Sequence, residues 1–262
     1  MQLDLGGRHA LVCGGSQGIG RATAHELALL GASVTVLSRS GEALARVAGE
    51  LPVVRDGQVH DWVAADMLDT GKLTDILVDL VARSPVHILV NNSGGPPGGA
   101  AHAADPETYV AVFRQHLVAG QVMVQAVLPG MREARYGRIV NIISTSVKEP
   151  LANLGVSNTV RAAVAGWAKT LAGELAADGI TVNNVLPGYT RTERLDGLVA
   201  AQARSGRDPA DIERGMLASV PAARFGEASE VAAVAAFFCT PAAGYVNGVS
   251  IAVDGGRTRS LS

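Results

Sequence analysis

The run CGGSQGIGRATAHELA places Gly14, Gly18 and Gly20 where an apolar stretch gives way to a helical one. Residues without a Cβ let a turn tighten and let backbone amides approach a phosphate. A helix behind such a turn directs its unpaired N–H groups and positive dipole end at the same point. Strand, glycine turn and helix together read as a pyrophosphate cradle rather than an ordinary turn. The next apolar run, SVTVLSRS, ends on Ser38 and Arg39. A carboxylate there would chelate a ribose diol, whereas a guanidinium beside a hydroxyl suits a 2′-phosphate. NADP(H) is therefore expected over NAD(H), with a solvated surface arginine as the plainer alternative. Asp66 in VAADM and Asn92 in ILVNNSGG close two further runs at the same edge, either as ligand contacts or as turn formers.

The elements that must hold these residues show in the rhythm of the chain. Short β-branched runs (HALVC, SVTVLS, HILVNN, GRIVNIIS, ITVNNVLP) alternate with longer helical stretches such as GRATAHELALLG. That alternation implies parallel strands with crossover helices, and nearly all-apolar strands imply helices on both faces. The expected fold is α/β, a single-domain Rossmann-like doubly wound parallel sheet of about seven strands spanning residues 1–262. The 31 glycines are spread among apolar runs, as for many tight turns rather than a linker. Lys plus Arg (22) nearly balances Asp plus Glu (24), which gives no footprint for nucleic acid. Two cysteines are too few for a disulfide framework or a zinc site, so no metal is expected. No apolar stretch approaches a membrane span, and the N-terminus lacks a leader's apolar region; a cytoplasmic protein is expected.

Four separated segments resemble the short-chain dehydrogenase/reductase family, in the right order and over essentially the whole chain. CGGSQGIG is similar to the family's cofactor turn, NNSG to its NNAG segment, VLPGYTRT to the PG-x-x-T beside the nicotinamide, and YVNGVSIAVDGG to its last strand. The nearest members in character are the 3-oxoacyl-[acyl-carrier-protein] reductases and small-alcohol dehydrogenases. The resemblance assigns to the cofactor Ser16, Gln17 and Ile19 with the three turn glycines. It adds Met67 beside Asp66, Ser93 and Gly94 beyond Asn92, and then Pro187, Gly188, Thr190 and Thr192.

In that family a Ser, a Tyr, a Lys and an Asn carry the reaction. The resemblance puts Ser144 at the Ser position, Ser157 at that of Tyr, Arg161 at that of Lys and His116 at that of Asn. Ser157 and Arg161 are about one helical turn apart and share a face, and the Arg161 charge suits ribose hydroxyls and an oxyanion. Arginine keeps its proton, however, and cannot join a relay with water. An aliphatic hydroxyl ionises several units above the ~10 of a phenol, at about 1.4 kcal/mol per unit. Loss of the acid alone is expected to slow turnover roughly 10²–10⁴-fold.

Two residues are candidates to replace that acid. His116 is read either as a proton donor or as a satisfied structural group, and Lys148 in STSVKEP either as reaching the cleft or as pairing with Glu149 at the surface. Residues 190–220 carry weak helical patterning and read as a mobile insertion, which the resemblance makes a substrate lid; Arg191, Arg194 and Arg204 there could attract an anionic carrier or acid. The expected function is an NADP(H)-dependent oxidoreductase interconverting a carbonyl and a secondary alcohol, on a small-molecule or acyl-carrier-bound substrate and with a non-standard site. The competing reading is an NADP(H)-binding protein without hydride transfer. Family analogy implies a homodimer or homotetramer through residues 107–134, 157–178 and the last strand.

Overall fold

The chain opens with β1 (His9–Cys13), α1 (Gly18–Leu29), β2 (Ser33–Ser38), α2 (Gly41–Glu50), β3 (His60–Ala64), α3 (Thr70–Arg83) and β4 (Ile88–Asn91). The next helix, α4 (Pro106–Phe113), runs through a π-turn (Arg114–Val118) into α5 (Ala119–Glu133). After it come β5 (Gly137–Ile142), α6 (Gly155–Leu175) and β6 (Ile180–Pro187). The last part holds β7 (Thr190–Arg191), α7 (Glu193–Ala203), α8 (Pro209–Leu217), β8 (Gly226–Glu227), α9 (Ala228–Phe238) and β9 (Ser250–Val253). This is a computed structural model, and it describes residues 1–96, 98–204 and 206–261.

Seven strands form one parallel sheet in the order β3-β2-β1-β4-β5-β6-β9. The doubly wound seven-stranded architecture expected from the alternation is therefore present. Successive residues of a strand face opposite sides. In β1, Ala10 and Val12 join a core with α1, α2 and α9, while Leu11 and Cys13 join a core with α3, α5 and α6. Burial on both faces is why the central strands β1 and β4 carry no polar alternation, while the edge strand β3 is largely exposed. The chain builds outward from β1 to β3 and then returns to place β4 on the other side of β1. The carboxyl ends of β1 and β4 thus flank the point where winding reverses, which is where such sheets open a crevice.

Helix starts differ in a way that bears on that crevice. Ser40, Asp69, Asp105 and Asp208 each cap their own helix through a side-chain oxygen, and α9 carries a reciprocal Glu227/Glu230 capping box. The N-cap of α1, Gln17, makes no side-chain cap, and the first turn holds no acidic residue; α6 begins in the same way after Leu154. The α1 amides are thus left for a ligand at the crevice.

Apart from Ser205, which lies outside the described residues, residues 190–220 are more ordered in pattern than their sequence suggests. Leu195 and Val199 of α7 pack on Ile212 and Met216 of α8, with Phe225 closing a small separate core. No helix among the described residues is long and apolar enough to cross a membrane.

Candidate active site

A cleft of about 540 Å³ opens at the carboxyl edge of the sheet. Gly14 turns out of β1 at φ +59°, and a Cβ added at Gly20 would lie 2.1 Å from the Gly14 carbonyl oxygen. Only bare backbone fits between turn and helix. Asn92 Nδ2 reaches across from the end of β4 to the Cys13 and Gly14 carbonyls at 3.3 and 3.4 Å. Asn92 therefore pins the turn as well as lining the cleft. The turn residues Ser16, Gln17, Gly18 and Ile19 are on the wall, and Gly20 supports them from behind.

One end of the cleft is bounded by Ser38, Arg39, Asp66 and Met67. Arg39 is exposed and makes no ion pair among the described residues, and the buried Ser38 Oγ has no hydrogen-bond partner. An exposed guanidinium beside an orphaned hydroxyl fits a phosphate ester. Asp66 Oδ1 accepts from the Leu68 amide at 2.9 Å, so this carboxylate shapes a turn while also facing the cleft. A bare glycine cradle, uncapped α1 amides and the Ser38–Arg39 pair together fit a dinucleotide carrying a 2′-phosphate.

At the other end, Ser144, Ser157 and Arg161 share the wall with Pro187, Gly188 and Thr190. Ser144 follows β5, and its Oγ accepts from the Ser146 amide at 3.1 Å. Ser157 and Arg161 come from the first two turns of α6. Arg161 Nη1 donates to the Ile142 carbonyl at 3.0 Å, and no carboxylate pairs with it among the described residues. Burial, and then the charge of Arg194, push the Arg161 pKa down to about 10, which leaves it a cation at neutral pH.

His116 and Lys148 are not on this wall. The π-turn directs the His116 ring behind the wall, where it is buried and shares a 2.7 Å hydrogen bond with Ser93 Oγ through Nδ1. Burial, reinforced by Arg161, drives its pKa down to about 2. A ring held neutral is a weak acid, so the structural alternative, not proton donation, fits this geometry. Lys148 ends a one-turn helix, its amide on the Thr145 carbonyl. Its expected surface partner Glu149 accepts instead from the Arg259 and Ser260 amides at 2.7 and 2.9 Å.

Arg257 and Gln115 on the wall carried no sequence expectation, whereas Tyr189, directly after Pro187 and Gly188, reads from the family resemblance either as a phenol near the nicotinamide or as a packing residue. Arg257 lies beyond β9, with Nε donating to Ser219 Oγ at 3.3 Å and its guanidinium 5.0 Å from the centre of the Tyr189 ring. Tyr189 lines the cleft while packing edge-on against Phe225, and Gln115, Leu195 and Leu198 complete the side formed by helices. The RTR triplet near the C-terminus was the one local signal for Arg257, legible only as charge.

The profile of a family described as short chain dehydrogenase matches residues 8–203. Among curated proteins, 3-oxoacyl-[acyl-carrier-protein] reductase FabG of Haemophilus influenzae is 34% identical over 252 residues, covering 95% of this chain and 98% of that one. NADPH-dependent reductase BacG of Bacillus subtilis is 31% identical over 259 residues, covering 97% and 99%. Among solved structures, L-sorbose reductase from Gluconobacter frateurii, complexed with NADPH and L-sorbose, superposes with a TM-score of 0.92 at 28% identity over 100% of both chains.

Proposed function

Because the chain belongs to the short chain dehydrogenase family, we propose that it is an NADP(H)-dependent reductase of a carbonyl to a secondary alcohol, or the reverse, with an altered set of catalytic side chains. The observation that carries this reading is the convergence, in one cleft, of a phosphate cradle with two hydroxyls and a buried guanidinium. The cradle, Ser38, Arg39 and Asp66 would hold the adenine half of NADP(H), and Asn92 through Gly94 with Pro187, Gly188, Thr190 and Thr192 the other half. The cofactor, when bound, supplies or accepts the hydride.

The remaining chemistry falls to the chain. Ser144 and Ser157 hold the substrate oxygen by hydrogen bonds, and Arg161 stabilises the negative charge that grows on it. A cation that is already buried and fixed by the Ile142 carbonyl needs little reorganisation for that task. The buried His116 ring is held neutral and Lys148 is not on the cleft wall, so we assign the proton to water entering the open cleft. The two helices α7 and α8 form the lid over the substrate. Exposed Val110 and Phe113 on α4, and Ile251 on the edge strand β9, support a homodimer or homotetramer joined through these faces.

The test is NADPH consumption with a panel of ketones, oxo acids and 3-oxoacyl thioesters, on the protein and on Arg161→Met. Consumption above background that falls about 100-fold or more in the variant supports the proposal. Tight NADPH binding with no consumption across the panel overturns it in favour of a cofactor-binding protein without hydride transfer.

A further inference from the structure

We propose that Arg194 and Arg257, with Arg161 at the inner end, form an anion subsite that takes the carboxylate of a small oxo-acid substrate. All three side chains line the cleft. None is in an ion pair among the described residues. Each is held by a neutral acceptor: Arg161 by the Ile142 carbonyl, Arg194 by the Pro96 carbonyl and Arg257 by Ser219 Oγ. A guanidinium carries five N–H donors, so most of each fork remains available to a ligand, and a carboxylate matches that fork in two parallel bonds.

The charge balance points the same way. The carboxylates on the wall are Asp66, engaged in its turn at the Ser38–Arg39 end, and Glu193, which is exposed at the start of α7. Arg194 also disfavours the charge on Arg161. Two cations this close without a counter-charge are costly to the folded chain, and an anion entering beside Arg161 and Arg194 removes that cost.

Arg257 is held in place rather than trailing. On its N-terminal side Asp254 accepts from the Gly256 and Thr258 amides at 3.0 and 2.7 Å. On its C-terminal side Glu149, just beyond the Ser144 segment, accepts from the Arg259 and Ser260 amides. The tail is thus fastened on both sides of the residue it presents, which lowers the ordering cost of binding. Phosphates of a dinucleotide are the rival occupant. They have their own receptors in the α1 amides and Arg39, whereas Arg194 belongs to α7 and Arg257 leans on Ser219 and Tyr189.

That this anion is the substrate's own carboxylate rests on the reductase reading, while the subsite itself can be tested without turnover. Malonate and the uncharged malonamide are titrated calorimetrically into the full-length protein, with and without NADPH. The same titrations are made on Arg194→Gln, Arg257→Gln and, as a charge control, Arg191→Gln, whose side chain faces Glu227 instead of the cleft. Saturable binding of malonate over malonamide, weakened about tenfold or more by either cleft substitution and unchanged by the control, supports the subsite. Equal binding of the two probes, or malonate binding indifferent to both cleft substitutions, overturns it. So does a loss of NADPH affinity in Arg194→Gln with malonate binding intact, which assigns the arginine to cofactor phosphate. Each variant's unfolding midpoint is measured alongside, and a variant that does not fold leaves the decision to the other. Malonate binding without NADPH consumption would sink the reductase reading and leave the subsite standing. NADPH consumption without malonate binding would do the reverse.

Discussion

Replacing Gly20 by alanine puts a methyl carbon 2.1 Å from the Gly14 carbonyl oxygen, 2.7 Å from its carbon and 2.8 Å from Asn92 Nδ2. Two of these three atoms are backbone, and the third belongs to the side chain that pins the turn. The carbonyl must retreat by about 0.9 Å to reach the 3.0 Å below which real Cβ contacts are essentially absent. Overpacking of this kind costs about 1–3 kcal/mol. Alanine in a helix recovers about 1 kcal/mol of that. The net loss of about 0–2 kcal/mol corresponds to a fall in Tm of up to about 8 °C for a chain of this size. Cofactor binding suffers more, because the displaced turn is the receptor. Losing two charge-assisted hydrogen bonds to phosphate at about 1.5–3 kcal/mol each, with partial replacement by water, weakens NADPH roughly 30- to 1,000-fold. Calorimetric titration with NADPH measures the affinity and urea unfolding the stability. Gly173→Ala is the control: its Cβ meets nothing within 4 Å, and it lies inside α6. It should bind NADPH as the parent does and be more stable by about 1 kcal/mol. A Gly20→Ala protein that binds NADPH within about twofold of the parent would refute the cradle.

Arg39→Ala should weaken NADPH about 10- to 100-fold and leave NADH unchanged, measured by parallel titration; an equal effect on both would make Arg39 a surface cation. His116→Gln tests the buried ring through stability. The folded His116 pKa, near 2, lies below the unfolded value of about 6.5, so between those limits the unfolded chain holds a proton that the folded chain refuses. Stability therefore drops as pH falls through that window, by about 1.4 kcal/mol per unit for one proton. Between pH 7 and 5 the parent should lose about 2 kcal/mol more than His116→Gln in urea unfolding. An equal loss in the two proteins would mean that the ring titrates normally.

The sheet and the glycine turn were legible because their chemistry is local. Glycine spacing and strand composition each carry their meaning within a few residues. His116 was not legible in the same way. Whether a helical side chain faces a cleft or the slab behind it depends on helix phase, and the π-turn at Arg114–Val118 shifts that phase by an amount no periodicity shows. Lys148 likewise depends on how one short turn after β5 closes. The pairing of α7 with α8 escaped because its apolar residues are divided between two helices and completed by Phe225. Arg257 escaped because the tail is fastened to Glu149, a contact spanning 110 residues of sequence.

Three asparagines inside the sheet bear on how the strands find one another. Asn91, Asn141 and Asn184 are direct partners in the β4–β5 and β5–β6 ladders, and Asn184 faces Ser250 in β9. Their side chains join in the same row, Asn91 to Asn141 at 2.8 Å, Asn141 to Asn184 at 2.9 Å and Asn184 to Ser250 at 3.0 Å. Apolar strands buried on both faces tolerate sliding, since one valine replaces another at little loss. An amide row does not, because a strand displaced along its neighbour leaves buried amide groups without partners. The row therefore acts as an alignment mark. β9, contributed more than 60 residues after β6, docks with full hydrogen bonding only in the register that sets Pro187 against Val253, and with it the segments that carry Tyr189 and Arg257 into the cleft.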